Sequence, residues 1–394
     1  MKSSKTRMKQ RSAKLEASPR SRSTVAALSS AMETIAPTWA AADWDNVGLL
    51  VGSPNWPARK VLLAIDLTPG VLDEAIAGRF DVVVAYHPVI FKPSARMVLD
   101  RRTAPGVAAE ALSHRIAVYS PHTALDCASG GTNETLASLC YLRDVRPFES
   151  ARSPVRQFKL VTFVPERHVD RVAEGLFAAG AGVIGDYQKC SYRLSGRGTF
   201  FGTESTRPTE GKKGRLVTID EIRLEVVLPA EKLSQVVAAL RKVHPYDEPA
   251  FDLYPLETPP NPCVGQGRIG AFAKPVTLRS LARILKRKCR AANVVVIGNP
   301  SELLRHALIC AGSAGSLPFE IPGRPCGKGD VVITGEIRHH DALAYARSGA
   351  AAIALGHWAS ERPVLMPLSQ QLRQRLPGAA IVISRKDRDP FNPA

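Results

Sequence analysis

Three short runs of apolar and β-branched residues in this chain stop abruptly at a histidine. Residues 81–85 (DVVVA) lead into Tyr86-His87-Pro88, residues 116–119 into Ser120-Pro121-His122, and residues 350–355 into Gly356-His357. Apolar runs this short, bounded by Gly, Pro and Ser, have the length of buried strands rather than of helices. Residues 61–66 (VLLAID) and 81–85 also flank a helix-patterned stretch, 69–79. That is a βαβ unit, which requires a parallel sheet. In such a sheet the strand C-termini share one edge, where open α/β proteins place their ligands. His87, His122, Asp126, His357 and Glu361, far apart in the chain, are thereby drawn toward one edge.

At 394 residues the chain exceeds one typical domain. A helical pattern starts at Ser23 and is closed by Pro37; WDNVGLLVG (44–52) then reads as a polar turn entering a short strand. Near residue 150 the texture changes to strand, helix, short Gly- and Arg-rich strands, helix and the segment His244-Pro245-Tyr246-Asp247-Glu248-Pro249, with Pro259, Pro260 and Pro262 as exit linker. This βαββαβ-like order predicts a small ferredoxin-like α+β domain. After it the α/β texture resumes: a basic helix (278–290), strands near 294–297, 308–310, 331–334 and 351–355, helices 339–348 and 364–376, and a last strand, 380–384. The expected fold class is α/β with a parallel-rich sheet, interrupted by an inserted α+β domain. The expected division is a basic tail (1–22), a discontinuous α/β domain (23–150 and 263–394) and an insert (151–262).

The formal charge of +17 raises nucleic acid as a partner, but eight cations (Lys2, Lys5, Arg7, Lys9, Arg11, Lys14, Arg20, Arg22) face a single Glu16 in the first 22 residues. A solvated, disordered arm is the favoured reading of that tail, ahead of an arm for nucleic acid or an anionic surface. No apolar run approaches the roughly 20 residues of a membrane helix, and the start lacks the apolar core of a signal peptide. The seven cysteines form no CxxC pair, which fits a reducing compartment. A cytoplasmic protein is expected.

His122/Asp126 and His357/Glu361 each place an imidazole and a carboxylate four residues apart, within reach of one ion if the segment turns helically. Neutral imidazole with carboxylate suits zinc, manganese, iron or cobalt, and a carboxylate bridging two ions makes economical use of few ligands. A lone histidine after a strand is more often a loop or core residue than a ligand; three at strand ends shift that balance. Hydrolysis by water activated between two metals is the chemistry such a set performs, and no G-x-S-x-G elbow offers a serine alternative. Gly265-x-Gly267-x-x-Gly270 lacks a preceding strand and reads as a turn. Gly312-Ser313-Ala314-Gly315 fits a phosphate cradle or a plain turn equally well. His340, opening a helix beside Glu336, fits a proton shuttle or a cap, and His244 to Glu248, between prolines, reads as a structural turn.

Taken together, WDNVGLLVG (44–52), HPVIFKP (87–93), HTALD with GGTNETLA (122–137), GEIRHHDAL (335–343) and GHWASER (356–362) resemble the NIF-three-like dinuclear metal-binding family, GTP cyclohydrolase I type 2 homologues, from about Ser23 to the C-terminus. The insert, ending in HPYDEPAFDLYPLE, resembles the PII/CutA-type domain of the longer bacterial members. The resemblance implies that His87 and Asp126 bind one divalent ion, His357 the other, and Glu361 bridges them, with His122 and His340 close by in catalytic roles. It implies a toroidal homohexamer with its sites facing an internal cavity, and a small-molecule substrate. Where many relatives have two successive histidines this chain has Tyr86-His87, and a phenol titrating near pH 10 is a poor neutral ligand; the second ion is therefore predicted to be weakly held or absent. Two readings of function follow: a hydrolase of a nucleotide or other phosphorylated small molecule, or a non-enzymatic metal-binding scaffold with the insert as sensor.

Overall fold

The computed structural model describes residues 23–152 and 157–392, so the basic segment 1–22 lies outside the described residues. The chain divides into two compact units, one from Met1–Glu149 with Cys263–Ala394, the other from Ser150–Pro262.

The first unit contains two sheets, not one. In the first, the strands Lys60–Ala64, Val82–Ala85 and Ala117–Ser120 run parallel side by side; Ala380–Ile383 extends the sheet in parallel next to the first of these, and Gly48–Val51 closes the other edge antiparallel. These central strands are apolar along nearly their whole length because both faces are covered. Val61, Leu63, Val82 and Val84 pack against the helices Val25–Ile35 and Leu365–Arg375; Leu62, Val83 and Ala85 point the other way, onto Pro69–Ala77 and Ala104–Ser113.

The second sheet has the order Val295–Ile297, Ala351–Ala354, Asp330–Glu336, Leu303–Ser313, Arg268–Thr277, Leu142–Arg146, and its second, third and fourth strands are parallel. Helices Thr132–Leu139 and Leu278–Cys289 cover one face, and Tyr345, from the helix His339–Ser348, packs on the other with Phe319. The motif expected to be a turn enters a strand at Arg268, and Leu142–Arg146 pairs with that strand. Neither announces itself locally, since RIGAFAKPVT carries glycine, lysine and proline and LRDVR is mostly exposed; their pairing partners supply the order.

In the second unit, strands Gln157–Val164, Tyr192–Phe201, Leu216–Pro229 and Phe251–Leu256 and helices Val169–Ala178 and Leu233–Val243 follow the order βαββαβ. The sheet is antiparallel throughout, with the second and third strands leading to the first and then the fourth, the ferredoxin-like arrangement. Leu160, Val164, Leu224, Val226 and Leu228 bury one face against the two helices.

Candidate metal centre

The histidines meet because the carboxyl edges of the two sheets of the first unit face one another. From the first sheet, Asp66, His87 and His122 follow three adjacent parallel strands. From the second, Gly312 and Glu336 end two parallel strands, and the third leads through Gly356 into the short helix His357–Glu361. A single shared edge, as the strand pattern alone suggests, would have set these groups in a row. Two opposed edges close them into a cluster.

His87, His357 and Glu361 offer ligand atoms all within 4.8 Å of one another. Glu361 Oε2 lies 3.3 Å from His87 Nε2, and Oε1 lies 3.2 Å from His357 Nε2. Two donors sharing one ion at about 2.1 Å each are separated by about this much. Glu361 is 3% exposed and its two oxygens face the two imidazole nitrogens, so its buried charge is balanced by protons on those rings or by a cation in their place. Gly312 shapes the space in front of it: at φ 67° a β-carbon there would stand 2.5 Å from Glu361 Oε1 and 3.3 Å from His357 Nε2.

Each ring is held from behind by a carboxylate. His87 Nδ1 is 2.9 Å from Asp66, His122 Nδ1 2.8 Å from Asp45, and His357 Nδ1 3.4 Å from Glu336. A carboxylate at Nδ1 selects the tautomer with its proton there and leaves the Nε2 lone pair free for a metal. Burial would lower the pKa of His87, but Asp66 and Glu361 outweigh it and push it up to about 10. For His357 the hydrogen bond to Glu361 outweighs burial and raises it to about 9. Burial would raise Glu361, but the two imidazoles hold its carboxyl below the usual range. The cluster is thus a strong cation site, where protons and metal compete for the same nitrogens.

Asp126 and His122 stand beside this trio. The His122 ring is 5.3 Å from that of His87, centroid to centroid. Its backbone, at φ 25°, is in a conformation that costs a β-carbon residue roughly 1–2 kcal/mol, held by its N–H donating to Tyr86 O and by the side chain on Asp45. Asp126 accepts a hydrogen bond from Tyr86 Oη. Burial, together with the charge of Glu361, raises Asp126 to about 6. Burial and Asp126 push the Tyr86 phenol well above its ordinary value, so it remains a donor and offers no lone pair of a phenolate. His340 sits in the first turn of His339–Ser348, edge-on to His339.

The backbone N–H groups of Gly312 and Ala314 donate to Ser360 Oγ (2.9 Å) and Thr334 Oγ1 (3.1 Å). Both are spent on building the floor of the cluster and are not available to a phosphate, which favours the plain-turn reading of this loop. Residues that sequence reasoning passed over do much of the positioning. Asp66 and Asp45 were visible as carboxylates next to a strand end and a turn, but nothing in spacing ties them to a histidine 21 or 77 residues away. Asp387, 1% exposed, accepts from Ile65 N beside the first sheet and from Trp358 Nε1 beside the second, clamping the two edges together. Asn133 likewise links Asp126 O to Ala311 N.

Comparison with known proteins agrees with this architecture. A protein from Halalkalibacterium halodurans described as GTP cyclohydrolase 1 type 2 homolog is 34% identical over 367 residues, 91% of this chain and 96% of its own length. A Bacillus subtilis protein of the same description is 31% identical over 91% of this chain and 95% of its length. Among solved structures, a Bacillus cereus protein related to NIF3 superposes with a TM-score of 0.67 at 30% identity, covering 93% of this chain and 97% of that one. A Staphylococcus aureus protein, at 24% identity, shares the fold with a TM-score of 0.76 over 95% and 99%. The family model for Duf34/NIF3 (NGG1p interacting factor 3) matches residues 23–390, and with relatives of this likeness along nearly its whole length the chain belongs to the Duf34/NIF3 family.

Proposed function

We propose that this protein binds two divalent metal ions and uses them to hydrolyse a nucleotide or another phosphorylated small molecule. The observation that carries the reading is the convergence of two imidazole Nε2 atoms on the two oxygens of one buried glutamate, with a carboxylate behind each ring. In this proposal His87 and Asp126 would hold one ion and His357 the other, with Glu361 supplying a carboxylate oxygen to each; the donor set suits zinc, manganese, iron or cobalt. Bound there, divalent ions supply Lewis-acid polarisation of a substrate oxygen and lower the pKa of water. Asp66 and Glu336 keep the ligand rings oriented, and His122, backed by Asp45, carries a proton to or from the reacting groups, with His340 as a further relay. Tyr86, a protonated donor to Asp126, makes the second position the weaker one. The description of the relatives as GTP cyclohydrolase 1 type 2 homologs supports a nucleotide as the substrate class.

The test measures metal per chain by mass spectrometry and turnover of a panel of nucleotides and phosphate esters, for wild type, His357→Ala and Glu361→Ala. Loss of metal and of turnover in both variants is expected. Equal metal content in all three proteins overturns the site. Metal binding without turnover of any substrate, with manganese, zinc or cobalt supplied, overturns the hydrolase and leaves a metal-binding scaffold with the insert as sensor. Assembly as a toroidal homohexamer belongs to the same proposal; the exposed apolar run Met97, Val98 and Leu99 is a surface that self-association would cover, and any species other than a hexamer in sedimentation experiments would refute it. Among the described residues no helix is long and apolar enough to cross a membrane.

A further inference from the structure

The second unit holds a cavity of its own. Its volume is about 570 Å³, in the range of small-molecule sites, and all its lining residues lie within 150–262. It opens on the sheet face that the two helices leave uncovered: Ile222, Leu224 and Val226 turn toward the helices, so Ile219, Glu221 and Arg223 face the other way. Opposite Glu221 and Ile219 the neighbouring strand carries Gly196 and Gly198. The missing side chains make the room. A β-carbon at Gly196 would meet nothing within 4 Å, whereas one at Gly198 would lie 2.1 Å from Glu221 Oε2, so the carboxylate lies flat across the bare strand.

Aromatic groups and an anchored carboxylate furnish this space. Phe163 pairs across from Arg223 and Phe200 from Val217, both on the cavity face. Tyr246 donates to Glu221 Oε1 at 2.8 Å, and burial, reinforced by Glu221, keeps the phenol protonated. The cations nearby are already engaged: Arg223 Nε is 2.8 Å from Glu225, Arg197 is 3.7 Å from Asp220, and Arg167 pairs with Glu210. Among the described residues no cation pairs with Glu221, Asp247 or Glu248. An excess of carboxylate beside aromatic faces attracts positive charge that also carries apolar surface.

We propose that this cavity binds a small organic cation, an amine or amidine with an aromatic or apolar body, whose charged head meets Glu221 while its body lies against Phe163 and Phe200. The inference is independent of the metal centre and of any hydrolase activity. The full chain is titrated with tryptamine and, separately, with indole-3-acetate, which has a similar indole ring and the opposite charge, with binding followed by calorimetry. Tryptamine is expected to bind saturably and indole-3-acetate not at all. Glu221→Gln, which removes the charge, and Gly196→Leu, which fills the space, are each expected to weaken tryptamine about tenfold or more while metal content and melting temperature stay at wild-type values. If Gly196→Leu fails to fold, Glu221→Gln decides. No saturable binding of tryptamine, equal binding of indole-3-acetate, or wild-type affinity in a folded Glu221→Gln protein would each overturn the proposal.

Discussion

Replacing Gly312 by alanine tests the metal centre by adding one carbon and removing no donor. Gly312 has φ 67°, so alanine there carries a backbone cost of roughly 1–2 kcal/mol, enough to lower the melting temperature by a few degrees. The steric consequence is larger. The new β-carbon would stand 2.5 Å from Glu361 Oε1, and real contacts do not fall below 3.0 Å, so the oxygen must retreat by at least 3.0 − 2.5 = 0.5 Å. Metal–ligand distances tolerate only about 0.2 Å. Neither wall can yield easily: Ser360 Oγ accepts from Gly312 N at 2.9 Å and donates to His357 O at 2.8 Å, tying the strand end to the ligand helix. Displacing Glu361 also disturbs both ions of the proposal, because both rest on its carboxylate. Metal affinity is therefore expected to fall by roughly 10–100-fold, the loss usual when a ligand is misplaced, while unfolding stays cooperative. Metal per chain is measured after equilibration at graded free zinc or manganese, alongside a thermal melt. A lowered melting temperature with wild-type metal affinity would refute the reasoning, because it would show that the Glu361 oxygens are not ligands.

Tyr86→His exchanges a protonated phenol for a neutral imidazole beside Asp126 and is expected to raise metal per chain; unchanged stoichiometry would contradict the view that tyrosine weakens the second position. Arg268 is fully buried and donates to Glu134 and to the carbonyls of Cys127, Ala128, Gly265 and Gly267. Arg268→Ala leaves those acceptors unsatisfied and should cost about 3–5 kcal/mol in chemical denaturation; a loss below about 1 kcal/mol would mean that water replaces the guanidinium. Glu74 is partly buried, which would raise its pKa, but it accepts from Ser384 Oγ and from the N–H groups of Arg385 and Lys386, and these bonds hold its carboxyl below its ordinary value. Its folded pKa is depressed, so its contribution is complete above the unfolded value and is lost as pH falls through the folded one. Glu74→Gln should cost about 1 kcal/mol at pH 7, and the gap to wild type should close as the pH falls below the ordinary carboxylate range. A gap that persists undiminished in acid would assign the effect to packing.

Much of the site was legible because parallel sheets enforce a regularity that sequence can carry. DVVVA, 116–119 and 350–355 are apolar without alternation because their strands are covered on both faces, and residues that follow such strands fall at the carboxyl edge. That is enough to nominate His87, His122, His357 and Glu361. The supports were not legible, since the Asp45–His122 and Asp387–Trp358 bonds join residues with no common spacing. Tyr86 shows the limit within the motif itself: its identity marks a departure from a histidine pair, but only its bond to Asp126 says what the phenol does there.

By itself the sequence determined the α/β character of the first unit, the βαββαβ order of the second and the residue types available for metal, because hydrophobic period and strand length are local properties. Tertiary structure alone decided that the donors stand on two opposed sheets rather than along one edge, and that Glu361 turns both oxygens toward histidines. It also decided that Gly312 leaves the gap between them. The reason is geometric: a local pattern states that a strand exists and which residue follows it, whereas its partner strands, and what faces the end of it, depend on contacts between segments hundreds of residues apart.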